Sequence, residues 1–399
     1  MKILRIIYDW PPPWQGLGPH PYELTVAQAK LGHTFDVFCG RWPKAGKIEE
    51  PSNVRTFPFW RAPLPGTMTI TTAVMMFFKY IFWRDDPANQ VDLIHSHGHF
   101  GLWIYLYRLF LKKFFPKSKE LQTPLVVHFH NTVMGRWEAS KEKNVDIKLV
   151  SQYLDWPLSK LSDQTAVKVA DACIFVSEEN RQDAIKFYKA DPSKCFVVET
   201  GVNTHLFTPV GQEEFEKTRR DLGFDIYDKI ILNHGVMLER KNIHILIEAM
   251  KFLPLEYKLL LVGPGDESYM RKLAETIAEN HLEDRITRAG YTPYPQAQVS
   301  FQVSDLFVLP SSFEGFPKVV MQSLACGVPV LASGFKAKDE IKGLHYLEQI
   351  NPQEVAAGIK DVLEMPGSKD IDLAYIRTHF SWDTKAHQVE EIYRKILSL

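Results

Sequence analysis

The sequence has almost no net charge, few cysteines and no leader-like N-terminus, and each shortage argues against a class of protein. Lysine plus arginine number 47 and aspartate plus glutamate 48, so the overall field gives no reason to expect a nucleic-acid partner. The four cysteines form no Cys-x-x-Cys pair, which argues against a zinc ribbon or a disulfide framework and favours a reducing, cytoplasmic location. The first apolar run is broken by Arg5 and followed by three prolines, unlike a secretory signal peptide.

Long apolar runs are also missing. The two most apolar stretches, residues 68–83 and 102–116, are each shorter than the roughly 20 residues that span a bilayer. The second stretch has Arg108, Lys112 and Lys113 beside its apolar face. Two interpretations are open: core helices with a solvated lysine edge, or a basic amphipathic helix that lies on an anionic membrane. The second interpretation predicts peripheral contact with the inner face of a membrane through the N-terminal domain.

What the chain does contain is enough apolar material for two domains. It has 399 residues, of which 45% are apolar and 24% charged, and usual domain sizes favour two α/β domains over one large barrel. Short apolar runs alternate with helical stretches in two series, which predicts two parallel sheets covered by helices. The runs lie at 3–8, 34–39, 93–95, 125–130 and 172–176, and then at 229–233, 257–262, 286–289, 306–309 and 328–332.

The two series are separated by residues 199–209, which are rich in Gly, Thr, Asn and Pro and have the composition of a linker. The last segment has an apolar stripe at helical spacing. The sequence therefore predicts an N-terminal domain at 1–202, a C-terminal domain at 203–380, and a helix at 381–399 that returns toward the N-terminal domain.

A strand, loop, helix and strand pattern occupies residues 309–332. Pro317 suits the first helical turn, because its missing N–H is not needed there, and Gly327 suits the position just past the end. The helix start favours a phosphate, and Glu314 in the preceding loop can accept hydrogen bonds from sugar hydroxyls. Alternatively, Glu314 only caps the helix, since acidic residues are common at helix N-termini.

A second turn of this kind follows the first strand of the C-terminal half. Gly235 lies at the strand end, and the basic pair Arg240 and Lys241 follows it. Asn242 is predicted to be the N-cap of a helix over residues 245–252. A guanidinium and an ammonium beside a helix start can hold a diphosphate and its leaving-group charge. The alternative is an ordinary solvated basic pair on a surface loop.

Taken together, these segments resemble the retaining glycosyltransferases of family 4, also called glycosyl transferases group 1. The resemblance implies an α/β GT-B fold: two Rossmann-like domains that face a central cleft, with a C-terminal helix crossing the junction. The resemblance covers nearly the whole chain, and the order of the motifs makes it specific. These are KLGH at 30–33, DLIHSHG at 92–98, PLVVHFH at 124–130, ADACIFVS at 170–177, residues 199–209, LVGPG at 261–265, and Ser381-Trp382.

The resemblance also implies site residues. His130 matches a histidine that the family places near the donor sugar, at the C-terminal end of a parallel strand, where ligands gather; the alternative is a strand-end histidine that hydrogen-bonds a neighbouring loop. Gly16 and Gly18 resemble the family's glycine-rich turn. The implied catalytic residues are His130, Arg240, Lys241 and Glu314, and the implied donor-binding residues are Gly16, Gly18, Gly235, Gly315, Phe316, Pro317, Lys318 and Gln322.

Three positions depart from the family pattern. Gln322 stands where the family has a second glutamate that contacts the nucleotide ribose; glutamine keeps an acceptor and adds donors. Val236 stands where arginine is usual, which makes Arg240 the expected substitute. The usual Gly-Gly-x-x-Glu loop is replaced by residues 334–340, with the sequence GFKAKDE.

The resemblance implies a retaining, metal-independent hexosyltransferase without a cofactor. Its donor would be a nucleotide diphosphate sugar, UDP- or GDP-linked, and its acceptor a glycan, a lipid-linked molecule or a small molecule. Nucleic acid is not an expected partner.

Three other interpretations compete with the transferase. The first is an NAD-dependent oxidoreductase, because Gly16-Leu-Gly18 begins like a dinucleotide fingerprint; Pro21, however, replaces the third glycine. The pairs His95/His97 and His128/His130 are candidate ligands of a metal hydrolase. A degenerate nucleotide-sugar-binding module is the third, because Gln322, Val236 and the altered loop all depart from the family pattern.

Overall fold

The computed structural model describes residues 1–12, 14, 16–41, 48–60, 71–142 and 151–398. The chain divides into two compact units. The first unit comprises residues 1–199 together with 382–399, and the second comprises residues 200–381. The structure thus divides after Glu199, whereas the sequence places the boundary after residue 202.

The first unit is built on a parallel sheet of seven strands in the order β3-β2-β1-β4-β5-β6-β7. The chain runs outward from β1 to β3 and then returns to β4 on the other side of β1, so β1 and β4 flank a topological switch point. In open α/β sheets, ligands bind beside the C-terminal strand ends at such a point. The strands are β1 Lys2–Asp9, β2 Thr34–Arg41, β3 Val54–Trp60, β4 Leu93–His97, β5 Leu125–Phe129, β6 Ala172–Phe175 and β7 Cys195–Val197.

Helices cover both faces of this sheet, as a parallel sheet requires. One face packs against α2, α3, α5 and α6, and the other against α1 and α14. The C-terminal helix α14 therefore belongs to the first unit, where it contacts α1. The helices are α1 Pro19–Lys30, α2 Thr72–Arg84, α3 Leu102–Phe114, α4 Val133–Glu142, α5 Trp156–Val169 and α6 Glu178–Tyr188, with α14 at Trp382–Leu397.

The second unit repeats this architecture with a parallel sheet of six strands in the order β10-β9-β8-β11-β12-β13. Its switch point lies between β8 and β11. The strands are β8 Lys229–His234, β9 Tyr257–Val262, β10 Ile286–Gly290, β11 Leu306–Pro310, β12 Val330–Ser333 and β13 Leu344–Tyr346. The helices are α7 Gln212–Asp221, α8 Ile243–Ala249, α9 Glu267–Glu279, α10 Gln298–Gln302, α11 Lys318–Ala325, α12 Pro352–Glu364 and α13 Leu373–Phe380.

The predicted pair of helix-covered parallel sheets is confirmed, and the single barrel is excluded because both sheets are open. The sequence missed three strands, β3, β7 and β13, and all three lie at sheet edges. Edge strands are short or partly exposed and give weak apolar runs; β3 also contains Pro58, which a central strand does not tolerate.

The apolar stretch at 68–83 forms α2 from Thr72 onward, and its first three residues lie outside the described ranges. Among the residues that the structure describes, no helix combines the length and apolar character needed to cross a bilayer.

Candidate functional site

In the second unit, the loops that follow β8 and β11 meet at the switch point. The backbone N–H of Ser312 donates to the carbonyl of Arg240 at 2.8 Å. The side-chain amide of Asn242 donates to the carbonyl of Pro310 and to Oγ of Ser312, both at 2.9 Å. These bonds hold the two candidate segments of the sequence against each other, although about 70 residues separate them.

Glu314 is a member of this loop pair and does not cap a helix. Its Oε1 accepts from Nη1 of Arg240 at 2.7 Å and from Oγ of the buried Ser311 at 2.9 Å. Its Oε2 makes no hydrogen bond within the described residues. The capping alternative for Glu314 is therefore wrong: one oxygen is fixed by protein donors, and the other remains available to a ligand.

Arg240 is not an ordinary solvated side chain either. Besides Glu314, its Nη1 donates to the carbonyl of Phe313 at 2.7 Å. The Arg240 side chain is 38% exposed and that of Glu314 is 14% exposed, so solvent screens the pair only in part. The guanidinium is oriented by the loop and keeps further N–H groups for an anion.

Lys241 lies across the glycine turn that follows β8. A Cβ on Gly235 would lie 2.9 Å from Nζ of Lys241, and Gly235 has a φ of +133°, which other residues rarely adopt. Burial lowers the pKa of the half-buried Lys241; Glu314 opposes this shift and Arg240 adds to it. The two cations, Arg240 and Lys241, face one carboxylate, Glu314, and a bound anion would neutralise the remaining positive charge.

The turn after β9 fits directly against this glycine turn. A Cβ on Gly263 would lie 2.1 Å from the carbonyl oxygen of Gly235. The Gly235 N–H donates to Val262, and the Gly263 N–H donates to Gly290. The backbone at the ends of β8, β9 and β10 is thereby fixed.

The helix starts differ from the predictions in two details. Asn242 precedes α8, but it has a left-handed φ of 51° and its side chain makes no capping bond. Its amide is instead used between the two loops. The helix α8, Ile243–Ala249, begins two residues before the predicted start, and a 3-10 turn at Met250–Phe252 continues it to the predicted end. Pro317 is the N-cap of α11 and so lies just before the first turn.

The loop that leads into α11 presents backbone donors. The N–H groups of Gly315 and Phe316 make no hydrogen bond within the described residues, and Lys318 is the first helical residue. Gln322, one turn later, is 6% exposed, and its side-chain amide makes no hydrogen bond within the described part of the chain. Gly327 lies just past the end with a φ of +78°.

The two remaining departures, Val236 and the Gly334 loop, also lie in this region. Val236 is half-buried in the turn after Gly235. The carbonyl of Gly334 accepts from the Glu314 N–H at 2.7 Å. A Cβ on Gly334 would lie 2.6 Å from the Ser311 carbonyl, so this loop supports the segment that carries Glu314.

In the first unit, His130 follows β5 and is half-buried. Its Nε2 lies 3.1 Å from Nδ1 of His97, at the end of β4. Nε2 of His97 in turn lies 3.0 Å from Nη1 of the fully buried Arg5 in β1. His130 thus belongs to a hydrogen-bonded chain beside the β1–β4 switch point.

Gly16 and Gly18 lie in the loop after β1, beside the same switch point. Gly16 has a φ of +61°, and a Cβ there would lie 2.8 Å from Oδ2 of Asp9. Gly18 is the N-cap of α1 and Pro19 is its first residue. The close approach to Asp9 explains why the turn needs glycine at position 16.

The histidine pairs do form a cluster, but its hydrogen bonds and charge do not favour a metal ion. Nitrogens of His95, His97 and His128 lie within 4.8 Å of one another. Arg5 donates to Nε2 of His97, which occupies one of the candidate ligand atoms. A dication would also lie near the buried Arg5 guanidinium, and the like charges repel each other.

Sequence reasoning missed several residues of these sites. The sequence did not predict that Ser311 bonds Glu314 or that Asn242 joins the two loops. It also did not predict that Arg5 bonds His97. A buried arginine in an otherwise apolar strand, in a chain with two His-x-His pairs, was the one available signal for Arg5.

Comparisons with known proteins identify the family. A family model described as Glycosyltransferase Family 4 matches residues 14–206, and one described as Glycosyl transferases group 1 matches residues 214–376. D-inositol 3-phosphate glycosyltransferase of Corynebacterium aurimucosum is 27% identical, covering 96% of this chain and 92% of the relative. Alpha-maltose-1-phosphate synthase of Mycolicibacterium smegmatis is 26% identical, covering 99% of this chain and 100% of the relative.

Solved structures show the same fold. Sucrose-phosphate synthase from Thermosynechococcus elongatus has a TM-score of 0.81 at 20% identity, with 100% of both chains covered. Anabaena HepE in complex with UDP-glucose has a TM-score of 0.72 at 18% identity, again over 100% of both chains. With its two parallel-sheet domains and the two family models in sequence, the chain belongs to family 4 of the glycosyltransferases and has the GT-B fold.

Proposed function

We propose that this glycosyltransferase moves a hexose from a nucleotide diphosphate sugar to a glycan, lipid-linked or small-molecule acceptor, with retention of configuration and without a metal or cofactor. The observation that carries the proposal is the joined pair of loops at the β8–β11 switch point. They bring Arg240, Lys241 and Glu314 together with the donor N–H groups before α11. Cationic side chains and a helix start are the groups that bind a diphosphate.

In this proposal, Arg240, Lys241 and the N–H groups of Gly315 and Phe316 bind the diphosphate. The bond between the sugar's anomeric carbon and the phosphate oxygen breaks, and its electron pair leaves with the nucleoside diphosphate. The acceptor hydroxyl attacks from the same side, and its proton passes to the departing phosphate. The cations neutralise the charge that develops there, which is the largest contribution a preorganised site makes.

The sugar and the nucleoside are assigned to other groups. Oε2 of Glu314 accepts a hydrogen bond from a sugar hydroxyl, and the Gln322 amide bonds the ribose. In the first unit, His130 and the turn containing Gly16 and Gly18 contact the substrates. UDP is the favoured nucleotide, because HepE, a protein of the same fold, has been solved with UDP-glucose.

The proposal predicts selective stabilisation by one nucleotide family. A ligand that binds only the native state stabilises it by about 2.7 kcal/mol at a concentration of 100 times its Kd. We expect UDP and UDP-sugars, tested by thermal shift beside GDP, ADP, NAD and zinc, to raise the melting temperature. Glu314→Ala should weaken the response to UDP-sugars more than that to UDP, because Oε2 contacts the sugar.

The matched control is Lys251→Ala, which removes an exposed lysine of the same unit. It should respond as the native protein does. A response to no nucleotide would contradict the proposal, nucleotide binding without sugar transfer would favour the degenerate binding module, and a response to zinc alone would favour the metal hydrolase.

We also propose that the first unit binds an anionic membrane surface through an aromatic-basic surface, defined as Phe110, Phe114, Phe115, Lys113 and Lys117. The three phenylalanines are 49%, 57% and 57% exposed. Nζ of Lys113 lies 5.2 Å from the ring centroid of Phe114. Neither Lys113 nor Lys117 forms an ion pair within the described residues, since the nearby Glu120 and Asp171 pair with arginines. Both lysines can therefore face anionic headgroups.

Vesicle sedimentation tests this surface. Changing both lysines to glutamate should weaken binding to anionic vesicles about tenfold or more, since each lysine near such a surface contributes ~1 kcal/mol. The control changes the exposed Lys217 and Lys251 of the second unit to glutamate and should leave binding unchanged. Equal binding of the native protein to neutral and anionic vesicles would contradict the electrostatic assignment, and no binding to either would remove the surface from the proposal.

A further inference from the structure

The face of the first sheet that packs against α1 and α14 carries a hydrogen-bond chain that the proposed reaction does not require. It runs from Gln28 in α1 through Arg5 and His97 to His130. We propose that this chain fixes His130 as the neutral tautomer that carries its proton on Nδ1. Arg5 and His97 are then positioning residues, because they act on His130 and not on a substrate.

The direction of the chain is set by Arg5. Its Nη2 donates to Oε1 of Gln28 at 2.5 Å, and its Nη1 lies 3.0 Å from Nε2 of His97. A guanidinium has donors and no acceptor. Nε2 of His97 must therefore accept the hydrogen bond and cannot carry a proton.

The next link follows from the charge state of His97. Burial lowers its pKa well below the usual value, and the neighbouring His95, His128 and Arg5 lower it further. A neutral imidazole has one N–H, and with Nε2 accepting, the proton is on Nδ1. Nδ1 of His97 therefore donates to Nε2 of His130, 3.1 Å away.

The last link fixes His130 itself. Because Nε2 of His130 accepts, the neutral ring carries its proton on Nδ1. Protonation of His130 would direct its Nε2–H at the Nδ1–H of the buried His97 and leave two donors facing each other. In the described part of the chain, the surrounding charged and titratable groups include Arg5 on β1, His95 and His97 on β4, His128 on β5, His20 on α1 and Tyr393 on α14.

The catalytic consequence rests on the proposed function. His130 meets a substrate oxygen as a hydrogen-bond donor through Nδ1. Its Nε2 is occupied by His97 and does not take the proton of the acceptor hydroxyl. The histidine therefore orients the substrate and does not act as a general base.

The tautomer is measurable without any substrate. Long-range proton–nitrogen correlation spectra of ¹⁵N-histidine-labelled full-length protein distinguish the two neutral tautomers and the cation, and His130→Gln identifies the His130 signals. We expect the Nδ1–H form to exceed the Nε2–H form by about tenfold or more, because a mismatched buried hydrogen bond shifts an equilibrium by that factor. A native His130 in the Nε2–H form, or cationic at pH 7, would overturn the proposal.

His97→Phe tests the origin of the preference, because it keeps a ring and removes both nitrogens. We expect the His130 tautomers to become comparable in population. The control is His128→Phe: His128 is a near-parallel neighbouring ring whose nitrogens have no hydrogen-bond partner in the described chain. That control should leave the ratio of the His130 tautomers unchanged, and a native tautomer ratio in His97→Phe would refute the proposed hydrogen-bond chain.

If His97→Phe does not fold, the native spectrum alone decides. The spectra also separate this inference from the proposed function. If His130 carries its proton on Nδ1 and the protein has no transferase activity, the hydrogen-bond chain is supported and the proposed reaction is refuted. If the protein transfers sugar and His130 carries its proton on Nε2, only the hydrogen-bond chain is refuted.

Discussion

Replacing Lys241 by alanine is expected to lower the turnover number by about 10² to 10³, the usual effect of losing one preorganised electrostatic group. The ammonium lies over the Gly235 turn, where burial lowers its pKa and an anion restores its charge balance. The effect should fall on kcat, because the departing diphosphate carries more charge in the transition state than in the bound donor. Steady-state kinetics at saturating donor measure it.

Two variants make the Lys241 result specific. Lys241→Met keeps most of the side-chain volume and should lose activity as alanine does, whereas Lys251→Ala should keep native turnover. Native turnover in Lys241→Ala would remove this residue from the mechanism. A rise in the donor KM with native kcat would assign Lys241 to ground-state binding alone.

The first unit is expected to lose stability steeply as the pH falls below about 6.5, the ordinary pKa of histidine. Burial holds the pKa values of His95, His97 and His128 well below this value, so they stay neutral in the folded chain. The unfolded chain binds protons at these sites, and stability therefore falls with pH. Each site contributes ~1.4 kcal/mol per pH unit, or ~4 kcal/mol for three.

Asp163 opposes part of this loss. Burial raises its pKa to about 6, so between pH 6 and 4 the folded state binds one proton that the unfolded state does not. Stability from this group rises as the pH falls, which offsets one histidine. The expected net loss from these four groups is thus at most ~3 kcal/mol per pH unit.

Denaturant titrations between pH 7 and pH 5 test this prediction, with tryptophan fluorescence as the probe. All nine tryptophans lie in the first unit, so the signal reports that unit alone. His128→Phe removes one of the three histidines and should reduce the slope by ~1.4 kcal/mol per pH unit. A stability independent of pH, or an unchanged slope in this variant, would contradict the assignment.

The sequence predicted the fold well wherever a segment is buried on both sides. The apolar runs gave the central strands, and Pro317 and Gly327 marked the two ends of α11, because local backbone chemistry alone determines such boundaries. Edge strands β3, β7 and β13 were missed, since their partly exposed side chains give no continuous apolar run.

The site was predicted by residue but not by contact. The sequence predicted both Arg240 and Glu314 as site residues but not the ion pair between them. That pair joins loops 74 positions apart, and no local sequence pattern encodes such a contact. Asn242 was predicted as a cap from its residue type, whereas its left-handed backbone sends the amide to Pro310. Arg5 was seen only as a break in an apolar run.

The close fit of Gly235 against Gly263 has a consequence for protein engineering. A Cβ at position 263 would lie 2.1 Å from the Gly235 carbonyl oxygen, whereas a Cβ on Gly235 would meet only the side-chain end of Lys241. The turn after β9 is therefore the one constrained by the backbone of the turn after β8. A chimera that takes the β9 turn from a relative with another donor preference must keep glycine at position 263, because any side chain there would collide with that carbonyl.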